Sequence, residues 1–439
     1  MPSNSTEPSL PSETQTPSHG YAFAILALTI GAALRLWWGQ DIEYKYDEAF
    51  MFHQATSAGN RETFPLVGMA SGAGVVNPGL SVWIFIVLAR LFRVETPPEL
   101  ARAVQLTNVT ALALAMLSAF VLVSSKERRE WIWAIALACV NPFAVLFDRK
   151  IWAQSVLPLF CTIALIGWFK RGTRWGAFMW GLVGAWLGQI HMSGFFLSAS
   201  ILIWTVLGAR AQPDGAAQVS VRWRSWATGS VVGMLTLLPW VAHLLTHGTA
   251  ARHQDFLAVL VLHNMLGLWY WILWVTGGLG LGMSYTLGLS EFAAFLRYPV
   301  IAGEATYLVA LAHVLLFVLG VWVLVSGARS AAARHFDWRG TVAGDGAPTQ
   351  RLLMASFLGT GILLAAAGFP IHRHYLIVTF PLQWLWVTRR VRSTTRHWNQ
   401  VLTVVWLGEL VIAAAFLWYV HVNGGAVSGD YGVAFSRQH

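Results

Sequence analysis

A chain of 439 residues that is 56% apolar and 11% charged, with 24 Trp, 24 Phe and a mean hydropathy of +0.56, excludes a soluble globular domain. It specifies a polytopic all-α integral membrane protein. The net charge of +9 does not signal nucleic acid, because Lys and Arg concentrate between apolar runs and no nucleic-acid module motif is present.

In chain order, residues 1–19 are rich in Pro, Ser and Thr and read as a disordered cytoplasmic tail. "YAFAILALTIGAALRLWW" follows with no basic n-region before it and no small-residue cleavage site after it, so it reads as an uncleaved first span. Further apolar runs lie at 101–124, 130–147, 151–169, 175–190, 193–209, 228–246, 303–326, 351–369, 375–388 and 399–421. With the first, they give about eleven crossings within 20–421. Cys139 and Cys161 both fall in such runs, which leaves no disulfide framework and no Cys metal site.

Basic clusters at "KERR" (126–129), "KRGTR" (170–174), Arg210 with "RWR" (222–224), "ARSAAAR" with Arg351, and "RRVRSTTR" (389–396) each follow an even-numbered crossing. The positive-inside rule then puts the intervening loops outside. These are a first outer loop (39–100), "FDRK" (147–150), "HMSG" (191–194), an outer or re-entrant segment (247–302), "PIHRHY" (370–375) and an outer tail (422–439). The stretches 78–92 and 256–283 read as juxtamembrane or re-entrant helices against the outer face, or as paired half-spans.

The outer loops carry the candidate chemistry. Asp47 and Glu48 are adjacent, so on a helix their carboxylates diverge by about 100° and cannot serve one atom equally. Capping, with Asp47 as N-cap, and catalysis are compatible roles for them. Asp148, Arg149 and Lys150 sit between two apolar runs, where charges pair or function. An interfacial salt bridge is one reading there, and a cationic cradle for a lipid phosphate is the other. His191 interrupts an apolar run as a packing or cavity residue. His372, Arg373, His374 and Tyr375 cap one helix end as an interfacial belt or a binding cluster. No phosphate loop, dinucleotide fingerprint, nucleophile elbow or zinc spacing appears.

Arg35 late in the first span, "YDEA" opening the first outer loop, "NPGL" (77–80) and the charged "FDRK" turn together resemble the GT-C superfamily of membrane glycosyltransferases. More narrowly, they resemble the bacterial branch related to protein O-mannosyltransferases and lipid A aminoarabinose transferases. "HRHYLIVTFPLQ" is similar to that group's late Arg-Tyr turn. Two positions depart from the pattern: "NPGL" stands for His-Pro-Pro, and Lys150 for a small residue.

The resemblance implies a GT-C-type bundle in a bacterial inner membrane, acting at its outer face. The expected reaction is inverting transfer of a hexosyl or pentosyl group from a polyprenyl-phosphate donor to a hydroxyl of a glycan, lipid or protein acceptor. Asp47 would be the base and Glu48 a positioning acid, with Asp148 orienting the cations or supplying the second acid. Arg149, Lys150, His372, Arg373, His374 and Tyr375 would meet the donor phosphate. A divalent cation is the one cofactor the resemblance allows: some branches need it and others do not, and an acid pair serves both. The competing reading is a transporter or flippase of a lipid-linked or amphiphilic substrate, which calls for internal repeats and charges near the midplane.

Overall fold

A computed structural model describes residues 17–59, 63–70, 76–211, 220–247, 267–268, 271–272, 282–333, 347–367 and 371–438. Its first eleven helices are α1 (Pro17–Leu36), α2 (Tyr46–Ser57), α3 (Leu80–Phe92), α4 (Pro97–Leu122), α5 (Ser125–Val140), α6 (Pro142–Phe147), α7 (Leu157–Phe169), α8 (Arg174–Ile190), α9 (Ser193–Ala211), α10 (Trp223–Leu235) and α11 (Leu238–His247). The later part carries α12 (Met283–Leu287), α13 (Leu289–Phe295), α14 (Leu308–Ala333), α15 (Ala347–Met354), α16 (Thr360–Ala366), α17 (Leu382–Thr394) and α18 (Trp398–Asn423). The described residues also form three antiparallel hairpins: β1 (Val67–Ala70) with β2 (Val76–Pro78), β3 (Val300–Ile301) with β4 (Glu304–Ala305), and β5 (Gly425–Ala426) with β6 (Gly432–Val433).

Five helices are long and apolar enough to cross a membrane: α4, α9, α14, α18 and the helix formed by α15 and α16 with the π turn (Ala355–Gly359) between them; the α10–α11 pair makes six if it is one span. These are the described residues only, and the expectation of eleven is not met by length. Local chemistry explains several shortfalls. The run at 130–147 breaks at Asn141–Pro142, where the Asn141 side chain caps α6 by accepting from Ala144 N–H at 3.1 Å. The run at 228–246 bends by 50° just before Pro239. The run at 375–388 is not one helix: a 3-10 turn (Arg373–Thr379) ends before Pro381, and α17 then extends through most of the basic cluster that the sequence reading placed in a loop. The stretch 78–92 forms the 13-residue α3, whose length of about 20 Å falls short of a hydrocarbon core. Most of 256–283, the segment 334–346 and the first sixteen residues lie outside the described residues.

Sequence punctuation sets the longer elements. Thr96, Pro97, Pro98 and Glu99 open α4: the prolines sit where no N–H is needed, and Glu99 Oε2 accepts from Thr96 N–H at 2.9 Å and Glu95 N–H at 2.7 Å. Helices α8 and α10 cross closely at small residues. A Cβ on Gly181 would come within 2.2 Å of Trp226 O, and one on Gly229 within 2.1 Å of Phe178 O.

The two ends of α5 define the two ends of the molecule. At its start, Glu127 and Glu130 bind α17 through Arg389 (3.2 and 3.8 Å), and Glu130 also binds Arg392 (2.8 Å). The same Glu127 accepts from Thr349 at 2.8 Å. The basic clusters of 126–129 and 389–396 therefore gather at one end. About 24 Å away along α5, its last turn meets the fully buried Arg35, whose Nη atoms donate to Cys139 O (2.7 Å) and Ala138 O (3.1 Å).

Candidate active site

Past α1, the chain runs extended through residues 41–45 and pairs Glu43 with Ala434 of the C-terminal segment. Glu43, only 3% exposed, takes two lysines on its two oxygens: Lys45 Nζ at 2.7 Å from Oε1 and Lys150 Nζ at 2.5 Å from Oε2. Lys150 is buried to the same degree and lies over the rings of Phe147 (5.1 Å) and Trp152 (5.0 Å). A lysine in such surroundings requires the carboxylate, because an unpaired buried ammonium is costly.

Helix α2 starts just after, with Lys45 as N-cap, so Asp47 is not the cap that the sequence suggested. Glu48, at the third helical position, accepts from Lys45 N–H at 3.1 Å and is buried. Burial first, then the charge of Glu43, pushes its carboxyl up to about 7. Asp47 turns to a different neighbour: Trp152 Nε1–H donates to its Oδ2 at 2.9 Å. Asp47 is only partly buried, and its Oδ1 has no hydrogen-bond partner among the described residues.

Trp152 joins this carboxylate to the histidines. Its ring meets His374 at 5.2 Å, His374 meets His191 at 5.9 Å and Tyr375 at 4.9 Å, and His372 stacks on His374 at 5.4 Å. His191 Nδ1 is 2.6 Å from Ser193 Oγ. Burial, with His372 adding to it, lowers His191 to about 4, and burial and neighbouring His191 lower His374 as well. At neutral pH these two rings are uncharged hydrogen-bonding groups rather than cations.

Four of the separated sequence clusters thus meet at one place: Asp47, Lys150, His191 and the 372–375 turn. Three other candidates point elsewhere. Asp148 ends α6 and is ion-paired to Arg35, with Arg35 Nη2 at 2.6 Å and Nε donating at 2.7 Å. Arg149 donates to Leu34, Arg35, Trp37 and Trp38 carbonyls at 2.7–3.2 Å, closing the end of α1. Arg373 donates to Gly282 O and Thr286 Oγ1, both at 2.9 Å, and lies 4.7 Å from the Tyr285 ring.

The sequence reading passed over Glu43 and Trp152. A signal for Glu43 was available in "DIEYKYD", where charges at 41, 43, 45 and 47 alternate with the period of an extended strand. Trp152 carried none among 24 tryptophans. Among the described residues, no group of three or more His, Cys, Asp or Glu is placed to hold a metal ion.

The fold and site define a helical membrane protein with an acid, lysine and histidine cluster at one end of its bundle. No protein-family model matches the chain, and no curated protein does. Among the solved structures that resemble it are two oligosaccharyltransferases. One is the archaeal oligosaccharyltransferase AglB from Archaeoglobus fulgidus, in complex with an inhibitory peptide and a dolichol-phosphate, at 11% identity and a TM-score of 0.38, covering 95% of this chain and 56% of that one. The other is an Archaeoglobus fulgidus oligosaccharyltransferase in the apo form, at 11% identity and a TM-score of 0.41, covering 95% and 55%. The chain spans little more than half the length of either.

Proposed function

We propose that this protein transfers a sugar from a polyprenyl-phosphate donor to an acceptor hydroxyl at the outer face of a bacterial inner membrane, with Asp47 as general base. The observation that carries this reading is the state of Asp47. One of its oxygens is fixed by Trp152 N–H while the other has no partner among the described residues, on a residue open enough to meet substrate. Asp148, by contrast, is locked to Arg35, and Glu48 is buried beneath its own helix start.

In the proposed step, Asp47 Oδ1 takes the acceptor's proton as the acceptor oxygen attacks the anomeric carbon. The bond from that carbon to the phosphate oxygen breaks on the opposite face, and its electron pair stays with the polyprenyl phosphate. Lys150 is the cation for that leaving phosphate. It is ion-paired to Glu43 at 2.5 Å and shares the Trp152 ring with Asp47. The neutral His191 and His374, with Tyr375 and the more exposed His372, are suited to sugar hydroxyls. Arg149 and Asp148 hold α1 in place in this scheme, and Arg373 holds the 282–286 segment.

The test is release of polyprenyl phosphate by purified protein from a panel of polyprenyl-phosphate sugars, with and without membrane extract as acceptor. Wild type should show acceptor-dependent release, and Asp47→Asn should lose at least a hundredfold while still binding donor. Equal turnover by both proteins would remove Asp47 from the chemistry. The transport reading has one observation in its favour: Glu409 is fully buried midway along α18, where it accepts from Asn141 Nδ2 at 2.9 Å. It predicts that Glu409→Gln abolishes movement of a lipid-linked sugar across vesicles while Asp47→Asn leaves movement intact.

A further inference from the structure

A second recess lies at the end of α1, and none of its lining residues belongs to the site above. Trp38, Gly39, Gln40, Asp41, His421, Ser436 and Arg437 line an open cleft of about 290 Å³, near the lower limit of small-molecule clefts (~300–1,000 Å³). Its floor is the buried Asp41, both of whose oxygens are occupied: Ser436 Oγ–H donates to Oδ1 at 2.6 Å, and His421 Nδ1 lies 2.7 Å from Oδ2. The His421 ring stacks flat on Trp38, with centroids 4.5 Å apart and planes at 11°. With Nδ1–H committed to the carboxylate, Nε2–H of the protonated ring is the donor left for an anionic ligand.

Asp41 is the one carboxylate in this lining, and Ser436 Oγ–H and His421 Nδ1 cover its two oxygens. The carbonyls ending α1, which carry the negative end of that helix dipole, are covered by guanidinium groups: Arg149 on residues 34, 35, 37 and 38, and Arg102 on Leu36 at 2.6 Å. Arg437 is exposed, and its guanidinium has no hydrogen-bond or ion-pair partner among the described residues. Its stem lies over Gly424, the left-handed cap of α18, within 2.7 Å of where a Cβ would stand. The Gln40 amide, likewise without a side-chain partner there, adds a neutral donor.

We infer that this recess binds a phosphate group, held by Arg437, His421 and Gln40. The group could be carried by a phospholipid or be free in solution. The probes are inorganic phosphate and dihexanoyl phosphatidic acid, each titrated calorimetrically into the full chain in phosphate-free detergent buffer. Wild type, Arg437→Gln and His421→Gln would be compared. Wild type should bind at least one probe, and both variants should weaken that binding at least tenfold. Binding of the lipid alone would identify the source as a headgroup, and binding of inorganic phosphate alone would identify the free ion. The inference is overturned if wild type binds neither probe, or if both variants bind as tightly as wild type. Arg437 is exposed, so its substitution tests the site without disturbing the core.

Discussion

Adjacent acids in this protein have separate work because their surroundings differ. Asp47 receives one N–H and faces a partly open space, whereas Glu48 is enclosed beside Glu43. For Glu48 the folded state raises the carboxyl from its ordinary value of 4.5 to about 7. Its protonated form is therefore favoured by folding: the contribution is fully present below about 4.5 and is lost as pH rises through about 7. Wild type should lose stability on the order of 3 kcal/mol across that window relative to Glu48→Gln. Thermal unfolding midpoints in detergent from pH 4.5 to 8 would show this, and parallel curves for the two proteins would contradict it. The Trp152 indole can be tested in the same site. Trp152→Phe keeps a ring beneath Lys150 but removes the donor to Asp47, so kcat for the proposed transfer should fall roughly tenfold with little change in unfolding temperature.

At the level of elements, helix ends and turns place the chemistry, and this is where the sequence was partly legible. Apolar runs disclosed most helices, and the "FDRK", "HMSG" and "PIHRHY" turns were visible as polar interruptions. What each charge touches was not legible, because the partners lie far apart in the chain. Arg149 lies 111 to 115 positions from the four carbonyls it covers, and Asp148 lies 113 from Arg35. Helix breaks at Asn141–Pro142 and Pro381 were likewise hidden inside hydropathy averages. Arg149→Met should strip the end of α1 of its donors and lower stability by about 3 kcal/mol, since buried carbonyls left unmet are expensive. A midpoint equal to wild type would show that water takes over the cap.

For the whole molecule, the gathering of basic clusters at one end and the acid, lysine and histidine groups at the other gives an expected orientation. Reporter fusions at 126, 172 and 393 should read inside and one after 438 outside. An outside signal at 172 or 393 would overturn the outward placement of the site. The C-terminal segment adds a temporal consequence. Ala434 pairs with Glu43, Phe435 N–H donates to Ile42 O at 3.0 Å, Ser436 N–H to Gln40 O at 3.2 Å, and the Tyr431 hydroxyl to Asp41 O at 2.8 Å. The extended run that carries Glu43, and so orders Lys150, is thus completed by residues made almost four hundred positions later. During synthesis the first loop must wait, without these partners, until α18 and residues 431–436 have been made. A ribosome stalled before that point would leave a nascent chain with its helices threaded and its acid loop still unlatched.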